Sequence, residues 1–66
     1  MNQTDQHKVM KAGFTIIRRS NEPSPRIKQK TLENPWTWVT LNKFDTKAAR
    51  DRAADELLKS DNFIED

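Results

Sequence analysis

Three prolines limit what this chain can fold into. They stand at positions 23, 25 and 35. Proline has no amide hydrogen to donate and biases the residue before it away from the helical region. Pro23 and Pro25 cannot continue a ladder and Pro35 marks a turn, so the extended runs must lie between and beyond them; residues 36–66 run without proline.

Residues 13–19, GFTIIRR, form an apolar, β-prone run with a basic end. As a strand it places Phe14, Ile16 and Arg18 on one face and Thr15, Ile17 and Arg19 on the other. Residues 20–25, SNEPSP, cannot continue a ladder and read as a loop. Residues 26–32, RIKQKTL, alternate: Arg26, Lys28 and Lys30 face one way, Ile27, Gln29 and Thr31 the other. A helix would scatter these cations, whereas a strand aligns them. Glu33, Asn34 and Pro35 read as a tight connection. Residues 36–44, WTWVTLNKF, are the strongest strand signal, rich in aromatic and β-branched side chains. Trp36, Trp38 and Thr40 share one face, and Thr37, Val39 and Leu41 the other.

The clearest helix follows. Asp45 or Thr46 can cap its first turn. With Asp45 as the cap, Phe44 would staple onto Ala49. Ala49, Ala53 and Leu57 form one row and Ala54 with Leu58 the next, giving an apolar stripe. No Gly or Pro lies between Thr46 and Lys59. Arg52–Glu56 and Asp55–Lys59 are i, i+4 pairs on its wet side. Fraying is expected near residues 60–62, with Phe63 and Ile64 folding back onto the core. The order β-β-β-α predicts an α+β domain over residues 12–66: a three-stranded antiparallel sheet packed against one C-terminal helix. Residues 1–11 are polar and read as a flexible N-terminal arm.

Sixty-six residues make one domain with a small core. The chain has no cysteine, and His7 is its single histidine. A Cys/His zinc site is thereby excluded, and neither a metal nor another cofactor is expected. Stability must come from Trp, Phe, Ile and Leu, with a dimer as a further source. No apolar run approaches the roughly 20 residues of a membrane span, and no signal-peptide pattern is visible at the N-terminus. A soluble, cytoplasmic protein without membrane contact is the expectation, consistent with the lack of cysteine.

The net charge of +2 is unevenly spread. Residues 1–43 carry eight basic and three acidic side chains, and residues 44–66 carry four basic and seven acidic ones. Such asymmetry points to a polyanion-binding half, or else to two ordinary solvated surfaces. Catalytic chemistry is poorly served. His7 lies in the polar arm with no carboxylate or nucleophile beside it. Gly13 is the single glycine, so no glycine-rich phosphate loop exists. Asp51, Asp55 and Glu56 read as a solvated helix face. The chain is not expected to be an enzyme.

The sheet carries the candidate site: Arg18, Arg19, Arg26, Lys28, Lys30, Trp36, Trp38 and Lys43. Cations on a sheet face can neutralise phosphates, and tryptophan can stack on bases. The same residues allow blander roles, with the tryptophans in the core and Lys28 and Lys30 guarding an exposed strand against edge pairing.

Residues 38–54, WVTLNKFDTKAARDRAA, resemble the third-strand-to-helix segment of AP2-type DNA-binding domains and of the related N-terminal arm-binding domains of tyrosine-family integrases. Phe44-Asp45-Thr46 and Ala48, Ala49, Ala53 and Ala54 carry the likeness. Asn34-Pro35 stands where those families often have a glycine-rich turn, and there is no integrase catalytic region. The resemblance implies a three-stranded sheet on one helix, with the sheet in the DNA major groove. The expected function is a small non-catalytic module that contacts DNA through its basic sheet face, of the kind encoded by mobile elements or phages. The alternative is a protein-interaction module or homodimer that uses the Trp-bearing face or a sheet edge.

Overall fold

The computed structural model describes residues 2–66. The elements run α1 (Gln3–Lys11), β1 (Thr15–Ser20), β2 (Arg26–Lys30), β3 (Val39–Lys43), α2 (Lys47–Leu58) and β4 (Phe63–Glu65). The strands form one mixed sheet in the order β3-β2-β1-β4. β1, β2 and β3 are the expected antiparallel meander, and β4 is added parallel to β1. The fold is α+β, but two features correct the expected outline. The sheet has four strands instead of three, and a second helix stands at the N-terminus.

That first helix forms where a flexible arm is the sequence expectation. Asn2 caps it, its side chain accepting the Asp5 amide at 2.8 Å. Asp5 in the first turn and Lys8 and Lys11 in the last complement the helix dipole. Gly13, at φ 101°, takes the left-handed conformation that ends the helix and donates its amide to the Met10 carbonyl. Gln6 and Met10, four residues apart and so on one side of the helix, are its buried residues. The stripe is too narrow and too polar to be visible as a hydrophobic period.

Adjacent residues of β1 separate the two layers. Ile17 packs with Ile27 and Ala54 in the core beneath α2, joined by Leu41, Phe44, Ala53, Leu57, Leu58 and Phe63. Ile16 points the other way, toward the side held by α1, and is equally buried. The sheet is therefore covered on both faces, wholly by neither helix. α2 begins at Thr46, whose hydroxyl accepts the Ala49 amide at 3.1 Å, so Thr46 is the cap and Asp45 lies outside it. Phe44 joins the core instead of stapling the helix. The return of Phe63 to the core is as expected. Its strand is the added element, tied by Thr15 N–H to the Asn62 carbonyl and Asp66 N–H to the Ile17 carbonyl.

Two arginines lock the α2 side. Arg50 is buried and donates to the Ser20 carbonyl, to Asn21 Oδ1 and to Asp51 Oδ1, fixing the β1–β2 connection to α2. Arg19 reaches Asp51 at 3.4 Å, Asp55 at 2.9 Å and Glu65 at 2.6 Å, joining β1 to α2 and β4. The helix carboxylates are thus partly engaged in ion pairs rather than simply solvated.

Candidate nucleic-acid interface

Register decides which candidates share a face. Residues directly opposite across an antiparallel pair lie on the same side. Arg18 pairs with Lys28 and Ile16 with Lys30. Lys28 pairs with Thr40 and Arg26 with Lys43. Arg18, Arg26, Lys28, Lys30, Thr40 and Lys43 therefore occupy the face turned away from α2. Simple alternation would have placed Lys43 with Leu41, against the core. A bulge beside Ile27 and Lys28 prevents this by fitting one extra residue into β3. Leu41 stays with the core, and Lys43 returns to the cationic face.

Trp38 belongs to this face. The Arg18 guanidinium lies 4.4 Å from the indole centroid and the Lys30 ammonium 4.9 Å. Both distances are within the range of cation–π attraction. Trp38 is half-buried, so it serves as a platform between two cations.

The cations differ in freedom. Arg26 is buried against the Ser24 carbonyl and hydroxyl, with Thr40 Oγ1 at 3.5 Å. Lys30 is 5% exposed and donates to Gln6 Oε1 at 3.0 Å. Arg18 has an exposed side chain and pairs with Asp66 at 2.7 Å. Gln6 Nε2 donates to the same carboxylate at 3.0 Å. Burial raises the Asp66 pKa, but the hydrogen bonds from Arg18 and Gln6 are among the contacts that outweigh it, leaving it at about 2. Lys28 and Lys43 make no side-chain hydrogen bond or ion pair among the described residues. Lys28 is half-buried and Lys43 exposed.

Two candidates lie elsewhere. Arg19 is on the opposite face, held by three carboxylates. Trp36 sits in the connection before β3, 67% exposed, with its ring 4.7 Å from that of His7 on α1. The structure thus gathers Arg18, Arg26, Lys28, Lys30, Trp38 and Lys43 on one face. It adds Gln6 and Thr40, which sequence reasoning did not single out. Thr40 was legible from its phase with Trp38, whereas nothing in the sequence marked Gln6.

Among the described residues, no group of three His, Cys, Asp or Glu side chains could hold a metal ion, and no helix is long and apolar enough to cross a membrane. Compared with protein-family models, curated proteins and solved structures, the chain matches none.

Proposed function

We propose that the protein is a small, non-catalytic nucleic-acid-binding module that grips the phosphate backbone with the sheet face opposite α2. The observation that carries this reading is the gathering of five cations on one face, two of them, Arg18 and Lys30, against Trp38, with Asp66 paired to Arg18. On the α2 side, Arg19 and Arg50 are instead paired with Asp51, Asp55 and Glu65. A polyanion would be drawn to the layer whose cations are less neutralised. The three antiparallel strands with α2 on one face also follow the outline implied by the AP2-type resemblance. The present chain differs in carrying α1 over part of the opposite face.

The decisive variant is Lys28→Glu with Lys43→Glu. Neither ammonium group has a hydrogen-bond or ion-pair partner among the described residues, so reversing them alters the field without breaking such a bond. Lys30 is a poorer choice because its buried bond to Gln6 would be lost as well. Titration of a labelled short DNA at low salt is expected to show binding by the wild type and at least tenfold weaker binding by the double variant. Equal binding by the two proteins would end this reading.

A second reading has one observation of its own. β3 is an edge strand, with Val39 exposed beside its open backbone groups. Such an edge can take a strand from a partner or a second copy. Sedimentation of the free protein tests it: a dimer weakened by proline at Val39 supports edge pairing, and a monomer at high concentration removes self-association.

A further inference from the structure

Between α1 and the β2–β3 connection lies a cleft of about 390 Å³ lined by Gln3, Thr4, His7, Lys8, Lys11 and Trp36. It sits apart from the Trp38 cluster, and its chemistry is specific. The indole of Trp36 is the most exposed large apolar side chain among the described residues. His7 lies against it with the ring planes tilted at 44°. His7 Nε2 is buried without a hydrogen-bond partner among the described residues. Lys8 and Lys11 complete the wall, both exposed and neither in an ion pair among the described residues. No carboxylate lines the cleft.

Each feature narrows the ligand. An indole open to water beside two lysines can stack on a nucleobase. Two lysines with no acid beside them call for an anion. The volume is near the lower end of small-molecule sites, which begin at about 300 Å³. A flat ring carrying a phosphate meets these demands, whereas a base inside a duplex cannot stack on Trp36, because both its faces are already covered.

We propose that this cleft takes one unpaired nucleobase, stacked on Trp36, with its flanking phosphate on Lys8 and Lys11. The proposal rests on the nucleic-acid reading of the sheet face and deepens it: the target class becomes single-stranded nucleic acid, or a duplex with an unpaired end. Gln6 bonds Lys30, and its neighbour His7 lines the cleft, so α1 joins the two regions. Trp36 and Trp38 are two residues apart, at most about 7 Å along the chain. A strand held on the sheet face is therefore within reach of the cleft.

The test compares three labelled probes at low salt: a short single-stranded oligonucleotide, the same oligonucleotide with abasic sites, and its duplex. Each is titrated by anisotropy with the wild type, Trp36→Ala, Trp36→Phe and the Lys28→Glu, Lys43→Glu variant. Trp36 is largely exposed, so its replacement is not expected to unfold the chain, and an amide correlation spectrum checks this. Wild type is expected to bind the intact strand about tenfold more tightly than the abasic one, in keeping with the energy of one base–aromatic stack. Trp36→Ala should erase that difference and Trp36→Phe restore part of it. Equal affinity of wild type for intact and abasic strands, or an unchanged ratio in Trp36→Ala, overturns the cleft proposal. If binding persists in those cases and still requires Lys28 and Lys43, the sheet-face reading survives alone. If wild type binds none of the probes, both readings fall.

Discussion

The Gln6 side chain accepts a hydrogen bond from the Lys30 ammonium at 3.0 Å, in a position where both residues are almost wholly buried. The other end of the same amide donates to Asp66. One neutral residue on α1 thus satisfies a buried cation on β2 and touches the carboxylate that pairs with Arg18 on β1. The first helix is attached to the sheet through this bridge as much as through Met10.

Replacement of Gln6 by alanine is therefore expected to destabilise the fold more than loss of a surface amide would. It leaves the Lys30 ammonium buried without its acceptor, and hydrogen bonds to charged groups contribute about 1.5–3 kcal/mol. Urea unfolding should show a lower midpoint. A midpoint equal to that of the wild type would mean that Lys30 finds water when the amide is removed.

Arg50 gives a second stability prediction. Its guanidinium fills the space between α2 and the β1–β2 connection and donates in several directions at once. Arg50→Ala should cost about 2–3 kcal/mol, since it strands the Ser20 carbonyl and removes charge-assisted bonds. Arg50→Lys should recover little, because one ammonium cannot reproduce the planar fork. Thermal unfolding of both variants checks this, with the lysine variant close to alanine as the expected order.

Salt dependence follows from which cations are free. Arg26 and Lys30 are already buried in hydrogen bonds and Arg18 is paired with Asp66, leaving Lys28 and Lys43 to meet phosphates. With a slope of roughly −0.9 per phosphate on a duplex, log K against log salt should fall with a slope of about −2. A slope near zero would contradict phosphate contact. A much steeper one would show that the buried cations are released on binding.

Acid stability depends on Asp66 and Asp51. Asp66 is held at about 2 despite partial burial, and Asp51 is lowered, first by the Arg50 hydrogen bond. A carboxylate with a lower pKa folded than unfolded takes up protons more readily in the unfolded chain. Its contribution is complete above the unfolded value, near 4, and disappears as pH falls through the folded value. Unfolding midpoints should therefore decline between about pH 4 and 2. Asp66→Asn should flatten that decline, and an equally steep loss in the variant would assign acid sensitivity elsewhere.

Much of this architecture was legible in the residues themselves. Prolines and alternation marked the three meander strands, while Thr46 and the alanines marked α2. The common face of Arg26, Lys28 and Lys30 follows from period two alone, whereas Arg18 joins them through the register of β1 on β2. Three features were hidden for physical reasons. The first helix is stabilised by tertiary bonds to Gln6, and its apolar stripe has too few members to show a period. The β4 strand is short and depends on β1 for its parallel partner. The bulge depends on how two strands meet, which no single strand's pattern records. Ile16 and Ile17 are both fully buried because each face of β1 meets a different helix, a circumstance that the pattern of one strand does not encode.

The extra residue in β3 has a consequence for how the protein can tolerate change. Deleting Asn42 would restore one-to-one pairing: Leu41 alone would face Ile27, and Lys43 would keep its place opposite Arg26. Inserting a residue beside Asn42 would do the reverse, turning Lys43 toward the apolar layer and Phe44 toward water. The insertion should therefore be far more damaging than the deletion, because it reverses the polarity of an entire strand end.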